Sequence, residues 1–213
     1  MNQEEIIQVL NWRYAVKRFD AAKKISDSVW KILESSLILA PSSYGLQPWK
    51  FLVVENPSLR EQLKAVSWNQ SQVTEASHFV VFLTRDKITE SDVREYIEDI
   101  ASTREVTRES LKGFEGMLLT NVVEGKTGVD LLHWTQRQAY IAMGFLLETA
   151  ALLKVDSVPM EGLVPLAYDR ILNLEGSGWR SVAAVALGYR HPEDKLQYAK
   201  KVRFPAEKII QKV

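Results

Sequence analysis

The sequence predicts one α+β domain spanning residues 1–213, and three observations carry that prediction. Short apolar runs of strand length (Phe51-Leu52-Val53-Val54, His78 to Thr84, Val182 to Gly188) alternate with longer stretches of helical period. The longest helical stretch, Asp130 to Lys154, sets Leu132, Ala139, Met143, Leu146, Leu147 and Ala150 at core spacing. Its small residues Ala139, Ala142 and Gly144 let other helices approach closely, so it reads as the central helix. Finally, no internal repeat, low-complexity tract or linker divides the chain.

The elements follow in order. Asn2 to Tyr14 predicts a helix: Ile6, Ile7, Leu10 and Tyr14 share one face, and Glu4 and Glu5 lie in the first turn, where the helix dipole favours acids. Arg13, Lys17 and Arg18 then bring three cations into six residues, either a solvated basic turn or a clamp for an anion. Ser26 reads as the N-cap of a helix to Ala40 carrying Val29, Trp30, Leu33, Leu37 and Ile38. The loop Ala40 to Lys50 is bracketed by Pro41 and Pro48 and holds Ser42, Ser43, Gly45 and Gln47. Proline blocks helix continuation and glycine opens unusual backbone angles, so the loop is either an ordinary helix-to-strand connection, as its composition suggests, or a fixed loop whose exposed donors suit a planar polar ligand.

Phe51 to Val54, apolar throughout, predicts a strand buried on both faces. Asn56-Pro57-Ser58 opens a helix through Leu59, Leu63 and Val66, and the polar stretch Trp68 to Gln72 precedes the strand from His78 to Thr84. Asp86 to Asn121 is charged and helical without one clean face, so residues 86–129 read as a peripheral helical excursion. Asn121 to Val129 contains Gly125-Lys126-Thr127 but carries Thr120 where a phosphate loop needs glycine, and reads as a surface turn. Val155 to Val158 predicts a third strand, ended by Pro159-Met160-Glu161-Gly162. A helix from Pro165 to Leu174, a turn at Gly176-Ser177-Gly178 and the strand Val182 to Gly188 follow, before a basic segment around Lys201 and Arg203.

Composition excludes several functions. With 27 basic and 27 acidic residues the formal net charge is zero, which argues against broad nucleic-acid or membrane-surface binding. No cysteine is present, so disulfides, thiolate metal sites and a cysteine nucleophile are out, as suits the reducing cytoplasm. Met1 to Glu5 lacks the basic start of a signal peptide, and no apolar run is long enough to span a membrane. There is no G-x-G-x-x-G, G-x-S-x-G or H-E-x-x-H. His78, His133 and His191 lie far apart, and His78, at the mouth of a buried strand, reads as structural. With no nucleophile, metal site or acid–base pair, the chain either only binds a ligand or relies on a cofactor for its chemistry.

Five motifs in register narrow the choice. They are R-x-x-x-K-x-F-D around Arg13 and Lys17, P-S-S-x-x-x-Q-P-W from Pro41, Asn69 ahead of A-S-H-F-V-V-F, P-M-E-G at Pro159, and K-x-R-x-P from Lys201. In that order and spacing the chain resembles the FMN-dependent nitroreductase family, least recognisably over Asp86 to Val129. The resemblance implies an α+β fold with a central, mostly antiparallel sheet flanked by helices. It also implies an interlocked homodimer whose C-terminal segments reach onto the partner, with FMN bound at the interface. Arg13, Lys201 and Arg203 match the phosphate-binding cations. Lys17 matches the cation beside the pyrimidine edge of the flavin, where added electrons place negative charge. Asn69 matches the amide on that edge, and Pro159, Met160, Glu161 and Gly162 match the segment along the ring. Pro41, Ser42, Ser43 and Gly45 match the loop supplied by the partner subunit, with Gln47 on the same loop.

Three positions depart from the pattern. Ala15 replaces a common serine, Gly45 a common asparagine, and Gln72 a lysine that some members carry near the pyrimidine edge. These changes leave the phosphate clamp intact and bear on flavin affinity and potential. The implied activity is NADH- or NADPH-dependent reduction of a small-molecule acceptor such as a nitroaromatic or a quinone, in ping-pong order, with no catalytic side chain and no metal. Two alternatives stand beside it: another reductase on the same fold (enoate or dehalogenating), and a module that stores or senses FMN without turnover.

Overall fold

The computed structural model describes residues 2–213. Its centre is an antiparallel sheet of β1 (Trp49–Val53), β2 (His78–Arg85), β3 (Asp156–Met160) and β4 (Trp179–Gly188), in the order β1-β2-β4-β3. Side chains alternate across it, as the strand period requires. Phe79, Val81 and Leu83 of β2 join Ala184 and Ala186 of β4 in one core, and Val80 and Phe82 join Ala183, Val185 and Leu187 in another. Fully buried residues such as Phe79 and Phe82 each contribute about 1.5–3 kcal/mol by leaving water.

Helices cover both faces. The Val80 face carries α2 (Asp27–Ile38), through Leu33 and Leu37, and the 25-residue helix α7 (Gly128–Leu152), through Ala139, Ala142, Met143 and Leu146. On the Phe79 face lie α3 (Pro57–Ala65), the single turn α4 (Gln72–Glu75) and α8 (Pro165–Ile171), with Leu63, Val73 and Tyr168 fully buried. The N-terminal helix α1 (Gln3–Trp12) is closed by a capping box between Asn2 and Glu5 and leaves Ile6, Ile7 and Leu10 exposed.

The 86–129 excursion is helical and has its own core. It comprises α5 (Glu90–Arg104), α6 (Lys112–Leu118) and a π-helical stretch, Leu119–Glu124, whose Val93, Ile97, Ile100, Leu118 and Val122 pack against Leu131 and Trp134 of α7.

Several boundaries differ from the sequence reading. β1 is an edge strand whose Phe51, Leu52 and Val53 are only half buried, because one side has no neighbouring strand. Most of the expected surface turn at Asn121 to Val129 is absorbed into the π-helix and the start of α7, leaving Gly125 to Thr127 as the turn. The helix from Pro165 stops at Ile171, where the chain turns through Asn173 at φ 55°. β3 runs on through Pro159 and Met160, which places the P-M-E-G stretch at a strand end.

Candidate functional site

Distant stretches of chain meet beside β3. Ala15 forms a parallel bridge with Ser157, so the segment after α1 runs along β3 just before Pro159. It is held there by Arg190, whose guanidinium binds Asp156 at 2.9 and 2.5 Å and stacks on Trp12 and Tyr14 at 4.3 and 4.6 Å. Arg13 lies between those two rings in extended backbone, where successive side chains point to opposite sides.

The C-terminal segment closes the other side. Lys201 donates its ammonium to the carbonyls of Leu10, at 2.8 Å, and Arg13. The carboxylate of Asp194 accepts the backbone N–H groups of Lys17 at 2.7 Å and Arg18 at 3.2 Å. Together they form a cavity of about 360 Å³ lined by Asn11, Trp12, Arg13, Tyr14, Ala15, Lys17, Leu196, Gln197, Ala199, Lys200, Lys201 and Arg203.

Its electrostatics are one-sided. Burial first, and then Arg203, hold Arg13 below the ordinary arginine range. Burial, then Arg13 and Arg203, do the same to Lys201. Among the described residues no carboxylate pairs with these three cations, whereas Arg18 pairs with Glu193 and Arg190 with Asp156. Nε of Arg13 is buried without a hydrogen-bond partner. This arrangement is suited to an anion.

A second set of contacts surrounds the end of β3. The N–H of Val164 donates to the Val66 carbonyl at 3.0 Å, and Gln70 Nε2 donates to the Gly162 carbonyl at 3.2 Å. Those bonds seat Pro159–Gly162 against the turn at Trp68 and Asn69, both left-handed at φ 54° and 53°. A Cβ on Gly162 would lie 2.7 Å from the Trp68 ring and 2.9 Å from Gln70 Nε2, so a side chain there has to displace one of them. The N–H groups of Glu161 and Gly162 have no acceptor among the described residues. Glu161 accepts a hydrogen bond from the Tyr140 hydroxyl of α7, and the two line a largely apolar hollow of about 430 Å³ with Met143, Gly144, Leu147 and Pro159. Gln72 on α4 and Met160 at the end of β3 are both buried.

The Pro41–Gln47 loop stands apart. It lies beside the N-terminal half of α7, where the Ser43 N–H donates to Gln138 Oε1 at 2.8 Å, and it contributes nothing to the Arg13 cavity. Tyr44, Gly45 and Gln47 are left-handed, and Ser42 Oγ accepts the Gln47 N–H at 2.9 Å. The structure thus brings together Arg13, Ala15, Lys17, Lys201 and Arg203, with Pro159–Gly162 and Asn69 further along. Pro41, Ser42, Ser43, Gly45 and Gln47 lie in a second place.

Sequence reasoning missed Asp194, Tyr140 and Trp68. Asp194 carried a faint signal as the N-cap of the short turn Lys195–Tyr198, accepting from Leu196 N–H at 3.0 Å. His78 is structural as expected, stacked on Trp30 at 4.0 Å with Nδ1 at 3.0 Å from Ser77 Oγ. Phe114 and Leu118 belong to the core of the excursion.

Comparison with known proteins agrees with this geometry. The profile of the Nitroreductase family matches residues 10–189. A Staphylococcus saprophyticus protein provisionally named NAD(P)H nitroreductase is 37% identical over 216 residues, covering 98% of this chain and 97% of that one. Among solved structures, a provisionally named Bacillus subtilis nitroreductase superposes with a TM-score of 0.87 at 19% identity, covering 100% of both chains. A provisionally named Exiguobacterium sibiricum nitroreductase solved in complex with FMN gives 0.81 at 19% identity, covering 100% of this chain and 98% of that one. The structural likenesses establish the fold.

Proposed function

The chain belongs to the nitroreductase family, and on that premise we propose that it is an FMN-dependent NAD(P)H oxidoreductase that reduces small acceptors such as nitroaromatics or quinones. One observation carries the reading: Arg13, Lys201 and Arg203 crowd together without a carboxylate, and Arg13 Nε is buried unpaired, on a segment that the Ala15–Ser157 bridge joins to the strand ending in Pro159–Met160. A phosphate monoester relieves both defects, since it neutralises the cations and accepts the orphaned N–H.

FMN fits the remainder as well. Glu161 and Gly162 offer unpaired N–H donors beside the place for the ring, Gly162 leaves no side chain in the way, and Asn69 sits on the turn that Gln70 ties to Gly162. FMN supplies two-electron hydride chemistry when bound. The chain's part is to bind and orient. Arg13, Lys201 and Arg203 hold the phosphate, and Lys17 sets a positive charge by the pyrimidine edge, where negative charge develops on reduction. Donor and acceptor occupy one open place in turn, giving ping-pong order, and no side chain is needed as acid or base.

A homodimer completes the site in this reading, with Pro41, Ser42, Ser43, Gly45 and Gln47 serving the partner's flavin. Apolar surface supports it: Ile6, Ile7 and Leu10 of α1, Ile141 and Phe145 of α7, and Val202, Phe204, Ile209 and Ile210 of the C-terminal arm are all exposed. Residues 1–213 act as one domain, with residues 86–129 flanking the acceptor site. No helix of the described residues is long and apolar enough to cross a membrane, and the protein is proposed to work in the cytoplasm.

The test is an anaerobic absorbance spectrum of the purified protein, followed by titration with NADH and NADPH. Flavin bands that bleach with either donor, and return on adding a quinone or nitroaromatic, are expected. Bands that persist with both donors would leave a store or sensor, and no bands after incubation with FMN would overturn the reading.

A further inference from the structure

We propose that Tyr96, on the excursion helix α5, is a positioning residue that sets the flavin-facing loop through Tyr44, and that glycine at position 45 is the other half of the same device. The proposal rests on the reading that residues 41–47 contact FMN across the dimer.

The loop is unusual in its backbone. Tyr44, Gly45 and Gln47 sit at φ 59°, 71° and 49°, and two of these carry side chains for which that region is unfavourable. Such a turn persists only when its surroundings over-determine it. Ser43 is fixed by Gln138 and Gln47 by Ser42, and Tyr44 and Leu46 pack on the core of the excursion, but the backbone at the Tyr44–Gly45 apex has one external hydrogen bond. That tether is the Tyr96 hydroxyl, which donates to the Tyr44 carbonyl at 2.9 Å.

The same hydroxyl fills the space that a side chain at position 45 would need. A Cβ on Gly45 would lie 2.3 Å from Tyr96 Oη but 3.5 Å from Cζ, an ordinary contact. A side chain at 45 therefore meets two obstacles, the positive φ and the Tyr96 oxygen, and only the second depends on the residue at 96. Tyr96 is itself firmly placed: its ring meets Phe114 edge-on at 6.4 Å within the core of the excursion, and burial raises its pKa. In this chain the excursion thus takes over, through a backbone carbonyl, the fixing of a loop whose own side chain at 45 is absent.

The test is a double-mutant cycle of Tyr96→Phe and Gly45→Ala, read by FMN titration and by peptide-resolved hydrogen exchange of the apoprotein. Tyr96→Phe keeps the ring packing. It should weaken FMN about 5- to 10-fold, as loss of one hydrogen bond does, and speed exchange over residues 42–47, with the melting temperature nearly unchanged. Gly45→Ala alone should lose more affinity than it does in the Tyr96→Phe background, because removing the oxygen removes the clash. Additive effects, or unchanged exchange in Tyr96→Phe, would overturn the proposal. The exchange arm needs no flavin, so a wild-type protein that fails to bind FMN would refute the functional reading while leaving the tether under test.

Discussion

The Asp194 carboxylate accepts the Lys17 N–H at 2.7 Å across 177 residues of sequence. This bond fastens the C-terminal segment to the stretch after α1 that carries Arg13 and Lys17. Asp194→Ala should weaken FMN about 10-fold without abolishing folding, as read by fluorescence titration.

Acidification should act through the same carboxylate. Burial alone would raise its pKa, but the N–H groups of Lys17, Arg18 and Leu196 outweigh burial and hold it below the ordinary aspartate value of 3.8. A depressed pKa contributes stability that is complete above that value and is lost as pH falls below it. Acid unfolding should therefore steepen below about pH 4, and Asp194→Asn, which keeps an acceptor but no titrating charge, should flatten that step.

Arg13 should discriminate between flavins. Arg13→Gln is expected to weaken FMN about 10- to 100-fold, the cost of a charge-assisted contact of roughly 1.5–3 kcal/mol, and to leave riboflavin binding unchanged. Parallel titrations with the two flavins check this. Equal losses for both would place the phosphate elsewhere.

Gly162→Ala separates binding from stability. The added methyl collides with the Trp68 ring, which is 79% exposed and free to swing outward. Thermal unfolding should change by less than about 1 kcal/mol, because no core contact is lost. FMN binding should fall sharply, since the displaced indole lies beside the place for the ring.

Arg60 tests the fold itself. Its buried guanidinium donates to the carbonyls of Val54, Ala76 and Ser77 at 2.7, 2.7 and 3.2 Å. Arg60→Met leaves those carbonyls without a donor and should cost about 3 kcal/mol in urea unfolding.

Much of this was legible in the sequence because local chemistry and tertiary demand agree. The apolar run of β2 is buried as read, and Asn56-Pro57 starts α3 with the Asn56 side chain capping Leu59 N–H at 3.1 Å. The meeting of Arg13 with Lys201 and Arg203 was implied by the family resemblance of the five motifs. What stayed hidden depends on pairings that no local pattern encodes. The half-burial of β1 depends on its place at the sheet edge, and apolar content alone cannot assign that. Gly45 read as a lost contact, but its value depends on a hydroxyl 51 residues away in sequence. The Asn121 to Val129 stretch read as a turn on its Gly125-Lys126-Thr127, yet Val122 is fully buried and four of those residues lie in the π-helix.

One arrangement reaches beyond the single chain. The Arg13 cavity and the Pro41–Gln47 loop occupy separate places in one subunit. Under the proposed dimer, each flavin draws its cations from one subunit and its loop from the other. Two strains of this protein, one disabled at Arg13 and one in the loop, would then be inactive alone and active together. A mixed dimer assembles one site from the two healthy halves and discards both lesions in the other. Co-expression would restore turnover to at most half per dimer, the signature of intragenic complementation.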